Sequence, residues 1–139
     1  MNVWLVNSNS KEENKNDNGF RYMLNQNRVM TYYTRRFEID KIQKNDLVLL
    51  YHNQTGIVAV GFALEKELHD FSDIQNIEHC VNVNWIWKAL FDSELNRFKN
   101  SINQRMIGID KVFGTVLKIN TLKTDILLKE IGEKQVQIF

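Results

Sequence analysis

Apolar residues in this chain come in short runs divided by polar clusters, and the spacing inside each run predicts its local structure. Val3-Trp4-Leu5-Val6 stops at Asn7 and reads as a first strand. In Gly19 to Gln26 (GFRYMLNQ), Phe20, Met23 and Leu24 recur at helical spacing, which predicts a short helix. Ile39 and Ile42 fit a single helical turn, and Lys44-Asn45-Asp46 is a turn. Leu47-Val48-Leu49-Leu50-Tyr51 is a continuous apolar run of strand length. His52-Asn53-Gln54-Thr55-Gly56 is a hairpin connection, leading into a second buried strand from Ile57 to Leu64. Gly61 inside that strand implies a bend or the close approach of another backbone.

Further along, Cys80-Val81-Asn82-Val83-Asn84-Trp85 alternates apolar and polar, the period of a strand with one wetter face. Met106 to Ile109 and Val112 to Ile119 are expected to supply one or two more strands. Thr121 to Ile131 is expected to form a closing amphipathic helix, with Asn120 or Thr121 as N-cap and Gly132 as its stop. This order predicts an α+β fold: a small, strongly bent or barrel-like mixed sheet with helices packed outside it.

Composition narrows the class. With 139 residues, one domain spanning 1–139 is expected. The chain has no proline, and 17 asparagines do much of the punctuation, since Asn tolerates turn conformations. From Asn7 to Asn18 twelve polar residues run without an apolar side chain, so residues 7–18 are expected to be a mobile surface loop. One cysteine, Cys80, excludes an intramolecular disulfide framework and a thiolate-rich zinc site. No apolar stretch approaches the ~18–20 residues of a membrane span, and the N-terminus does not read as a signal peptide, so a cytoplasmic location without membrane contact is expected.

The formal net charge is +1, which speaks against tight, non-specific binding to nucleic acid. Its distribution is uneven. From Glu65 to Glu94 seven acids face two lysines, net −5, whereas from Arg97 to Lys123 six bases face Asp110, net +5. A near-neutral chain can thus carry a basic face.

Catalytic signatures are lacking: there is no phosphate-cradling glycine loop, no nucleophile elbow and no His-Glu-x-x-His pair. His52, His69 and His79 match no local metal-ligand spacing, and neither a metal nor a cofactor is expected. Cys80 opens an apolar strand and is most simply a buried small hydrophobe. Aromatic residues are more informative. Tyr32-Tyr33-Thr34-Arg35-Arg36 and Trp85-Ile86-Trp87-Lys88 set flat rings beside cations, the chemistry of a base-stacking surface, although solvated arginines beside core rings explain the same pattern.

The segment from Ile42 to Ala63 resembles the central hairpin of the EVE and YTH domains of the PUA-like superfamily. There, a lysine-glycine-aspartate turn leads into an apolar strand ending in aromatic, polar, Asn, and then into a strand of the form apolar-x-Gly-x-Ala. Asn45 stands where glycine is usual in that turn. Trp4-Leu5-Val6-Asn7-Ser8-Asn9-Ser10 is similar to the first strand of these domains and its exit, and Val81-Asn82-Val83-Asn84-Trp85-Ile86 to a later strand.

The resemblance implies a bent barrel that accepts one flipped, often modified nucleobase from DNA or RNA. YTH domains read N6-methyladenine in RNA through an aromatic cage, and EVE-type domains are associated with modified DNA bases. Matching positions make Asn7, Ser8, Tyr32, Tyr33, Phe71 and His52 candidate base contacts, with Trp85 packing beneath the pocket. Arg35, Arg105 and Lys111 become candidate phosphate contacts. Phe71 is the one aromatic where a second cage tryptophan is expected, which departs from strict methyladenine reading. The implied partner is DNA or RNA with a modified base, any effector protein acting in trans. Two alternatives share the fold: an ASCH-like enzyme acting on a nucleoside or RNA, for which His52 is the candidate acid/base, and a protein-interaction module.

Overall fold

The structure, a computed structural model, describes residues 1–8, 19–65, 71–73 and 76–136. Most of the expected polar loop, residues 9–18, lies outside the described residues, as does His69. In chain order the elements are strand β1 (Val3–Asn7), helix α1 (Gly19–Asn25), β2 (Arg28–Tyr32), a 3-10 segment (Tyr33–Lys41), β3 (Leu47–His52) and β4 (Gly56–Ala63). They continue with β5 (Phe71–Asp73), β6 (Asn76–Lys88), β7 (Leu90–Asp92), β8 (Arg97–Lys99), a 3-10 turn (Gln104–Ile107), β9 (Val116–Lys118) and helix α2 (Thr124–Val136).

The main sheet follows the order β2-β6-β4-β3-β1-β9, with β5 added on β6, and curls into a half-barrel. The fold is therefore α+β and mixed, as the run pattern implied. Among the described strands β1 and β3 form the one parallel pair, in the register Val3 with Leu47 through Asn7 with Tyr51. Leu47 to Tyr51 are all buried, so both faces of β3 are covered, which is why the sequence shows a continuous apolar run there rather than alternation.

Local signals worked where they were steric. At Gly61 a Cβ would lie 2.4 Å from the carbonyl oxygen of Asn84, and the β4–β6 register shifts beside it: the expected close approach of a backbone. Asn45 takes φ +70, so it supplies the left-handed turn that glycine gives elsewhere, and Asn27, Asn96 and Asn100 do the same. Cys80 is fully buried.

Three expectations need correcting. Met106 to Ile109 is no strand: the Asn103 side chain accepts from Arg105 N at 3.0 Å and Gly108 closes the turn at φ +90, so a capped 3-10 turn wins over the apolar run. Of Val112 to Ile119 only Val116–Lys118 pairs, antiparallel with β1. The last helix begins at Thr124, because Thr121 Oγ donates to Gly108 O and Lys123 N to Ile107 O, tying that stretch to the 3-10 turn. It then runs through Gly132 to Val136, so Gly132 is an exposed interior residue and not a stop. The strand β2 and the hairpin β7–β8 carry no strand signal in the pattern, being five and three residues per strand.

Among the described residues no helix is long and apolar enough to cross a membrane.

Candidate nucleic-acid interface

The carboxyl ends of the parallel strands β1 and β3 lie side by side, and the polar residues that end them meet there. Ser8 N donates to Tyr51 O at 2.9 Å, which seats Ser8 at the exit of β1, and Ser8 Oγ lies 3.0 Å from His52 Nδ1. Ser8 is 1% exposed and His52 half-buried. On the other flank, Asn7 N donates to Thr115 O at 2.8 Å, and Asn7 Nδ2 points to Gly114 O at 3.5 Å. The end of β1 thus holds His52 on one side and the loop before β9 on the other.

Around His52 the chain assembles an aromatic cluster. Phe20, in the first turn of α1, packs 4.5 Å from the imidazole, centroid to centroid. Phe98 of β8 lies 5.5 Å from the same ring, and Phe91, its cross-strand partner in β7, lies 5.1 Å from Phe98. The rings are tilted or edge-on, the arrangement aromatic quadrupoles favour. The short β7–β8 hairpin carries this pair. Its turn is closed by Asp92, whose carboxylate accepts from Leu95 N and Glu94 N, and Asn96 takes φ +50.

Two electrostatic features follow. Burial disfavours the charged imidazole, so the His52 pKa is lowered from 6.5 and the ring is neutral at pH 7. A neutral imidazole has one donor and one acceptor nitrogen, and among the described residues Ser8 is its only hydrogen-bond partner. The Arg21 guanidinium sits 4.3 Å from the Phe91 centroid, a cation–π contact, and its buried Nε has no hydrogen-bond partner among the described residues.

The structure brings Asn7, Ser8 and His52 together, and adds Phe20, Arg21, Phe91 and Phe98, which the sequence reading did not single out. Phe20 was readable only as a helix apolar position, and Phe91 and Phe98 meet it through tertiary pairing alone. Trp85 lies off the ring cluster: its indole Nε1 donates to Met23 O at 3.3 Å, and Lys88 Nζ donates to Leu24 O at 2.8 Å, so β6 holds α1 from beneath. Arg105 is exposed in the 3-10 turn, 3.8 Å from Asp110, and Lys111 is exposed in the loop before β9. Tyr32 and Phe71 form a separate group by register, on β2 and β5, where both pair with Glu78 of β6. Tyr33 and Arg35 open the 3-10 segment. The side chains of Tyr32, Tyr33, Arg35 and Phe71 lie outside the described residues.

A second polar pair lies near that group. His79 Nδ1 donates to Asp40, 3.0 and 3.2 Å from its two oxygens, pinning the 3-10 segment onto β6. Among the described residues no group of His, Cys, Asp or Glu is placed to hold a metal ion.

No protein-family profile matches the chain, and a search of curated proteins gave no match. Solved structures do. The Mmi1 YTH domain superposes with a TM-score of 0.57 at 11% identity, covering 98% of this chain and 78% of that one. The same domain in complex with RNA gives 0.54 at 12% identity, covering 99% and 82%. A second Mmi1–RNA complex gives 0.55 at 12%, covering 98% and 84%. At such identity the likeness is one of architecture, and it makes this fold YTH-like.

Proposed function

We propose that this protein is a nucleic-acid-binding module that accepts a flipped, modified nucleobase at the carboxyl ends of β1 and β3. The observation that carries the reading is the Ser8–His52 pair, 3.0 Å apart, set into a cluster of phenylalanine rings at the end of the parallel strands. A base needs flat apolar surface for its faces and a few fixed polar groups for its edge, and this place offers both. A neutral imidazole suits the role, because it reads a donor–acceptor edge without bringing an unpaired charge. Lifting a base from its stack costs a few kcal/mol, which ring contacts and phosphate contacts must offset.

On this reading Asn7, Ser8 and His52 supply polar contacts to the base, and Tyr32, Tyr33 and Phe71, grouped apart on β2, the 3-10 segment and β5, supply further rings for the bound strand. Arg35, Arg105 and Lys111 meet phosphates. The likeness to a YTH domain solved with RNA favours RNA over DNA. A methyl group on the base adds selectivity by burial between rings.

The Ser8–His52 spacing also fits a nucleophile and its base, the arrangement an ASCH-like enzyme would need. Among the described residues, however, no carboxylate orients His52 as a catalytic base would need. This favours a reader.

The test is binding, at fixed salt, of single-stranded RNAs of about nine nucleotides that differ in one central base: adenine, N6-methyladenine, cytosine or 5-methylcytosine, with the matching DNAs in parallel. One modified strand should bind about tenfold or more above its unmodified control, and Ser8→Ala and His52→Ala should each remove that preference. Equal binding of every strand, unaltered by these variants and by Tyr32→Ala, overturns the proposal.

A further inference from the structure

We propose that Phe113 is a stacking platform for the nucleotide next to the one held at Ser8 and His52, so that the protein reads a strand and not an isolated nucleoside. The inference rests on the base-reading function above and adds a contact outside the pocket. Phe113 is 70% exposed, the most exposed aromatic among those whose side chains are described. A lone exposed apolar side chain needs no explanation on a surface, but this one is presented with unusual definition.

Its loop is anchored on both sides. Val112 packs against the core and Thr115 is buried, so the chain dips inward before and after the ring. Gly114 adopts φ +84, which makes the turn that separates them. Asn7, itself a candidate base contact, holds the same loop through Thr115 O at 2.8 Å and Gly114 O at 3.5 Å. The ring is therefore tied to the rim of the site by the residue that ends β1.

The chemistry around the ring selects the occupant. Lys111 is exposed two residues away in sequence, and Arg105, in the same stretch of net charge +5, lies 3.8 Å from the exposed Asp110. An exposed aromatic ring with a lysine two residues before it suits the repeating unit of a single strand, a flat base followed by a phosphate.

The experiment compares wild type, Phe113→Ala and Phe113→Trp on the tightest-binding strand of the panel above, and on the same strand with abasic sites flanking the central base. Because the ring is exposed, urea midpoints should be equal in all three proteins. Phe113→Ala should weaken binding of the intact strand roughly tenfold. It should bind the strand with abasic flanks as wild type does, and Phe113→Trp should keep affinity, with its fluorescence quenched on stacking. Unchanged affinity of Phe113→Ala for the intact strand overturns the inference and leaves the base-reading function standing. An equal loss on both strands also overturns it, since the ring would then act on the central base. If wild type binds no strand of the panel, the base-reading function falls and takes this inference with it.

Discussion

The two ends of the β1–β3 pair are finished in opposite ways. At the amino end, Asp46 is 4% exposed, and its carboxylate accepts from Trp4 Nε1 at 2.8 Å, Gln43 N at 2.9 Å and Asn2 N at 3.0 Å. Each donor there finds the same acceptor, and the end is sealed. At the carboxyl end, Ser8 and His52 pair with each other inside a half-buried aromatic cluster, and a guanidinium lies over the rings with a buried Nε that no described residue satisfies. The acceptor buried at the amino end is fully engaged, whereas the carboxyl end keeps a buried guanidinium nitrogen that no described residue satisfies, as is also true of Arg28 Nε and Trp87 Nε1 elsewhere in the fold.

The sharpest way to break the comparison is to unseal the amino end. Asp46→Ala would leave a buried indole N–H and two main-chain N–H groups without their acceptor, and should cost about 3 kcal/mol in urea unfolding. Binding by surviving folded protein should be unaltered. Burial alone would raise the Asp46 pKa, but the hydrogen bonds from Asn2, Gln43 and Trp4 outweigh it and hold the carboxyl below its usual 3.8. The folded-state pKa is depressed, so the stabilisation is complete above 3.8 and is lost as pH falls through the lowered value. Asp46→Asn should flatten that acid limb of the stability curve. A wild-type curve that is already flat there would contradict the sealed-end description.

The carboxyl end should respond at a different pH and more weakly. His52 also has a depressed pKa, caused by burial among the rings, but for a base the depressed value favours the neutral form. Its contribution is therefore present above 6.5 and declines as pH falls from 6.5 to the folded-state value. The imidazole resonances should titrate with a midpoint below 6.5, and His52→Phe should remove the corresponding slope while keeping the ring packing. Binding should weaken over the same interval, as the ring gains a proton and loses its acceptor nitrogen. A midpoint at or above 6.5 would mean that the cluster does not exclude water from the ring.

How much of this was legible in the sequence depended on the range of the interaction. Asn45 and Gly61 were readable because a positive φ and a missing Cβ are properties of one residue, and the strand Leu47–His52 because burial on both faces leaves an unbroken apolar run. The pattern at Met106 to Ile109 misled because a single side chain, Asn103, closes a turn that apolar periodicity does not record. At the site, Asn7, Ser8 and His52 came from a family resemblance, and no local spacing joins Ser8 to His52. Phe91 and Phe98 stayed hidden for a further reason: their strands are three residues long, and Leu90 and Leu95 beside them are exposed. Nothing in that composition announces a hairpin that brings two rings to Phe20.

The smallest effect, and the finest test of the contrast, concerns Arg21. Its guanidinium rests on Phe91 and, at 5.8 Å, on Phe20, so part of its role is to cover the rings. A cation–π contact of this kind contributes about 0.5–1 kcal/mol, and Arg21→Gln should lower the urea midpoint accordingly. If the guanidinium also meets a phosphate, the same variant should reduce affinity a few-fold and lower the slope of log affinity against log salt by roughly 0.7, the value for one contact on a single strand. Arg21→Lys separates the two roles. A lysine keeps the charge but not the flat guanidinium, so it should restore the salt slope while leaving the ring contact impaired. A slope unchanged in Arg21→Gln would make Arg21 a lid on the aromatic cluster and nothing more. The unsatisfied Nε would then mark a cost of packing, and the two ends of the strand pair would differ by one contact fewer.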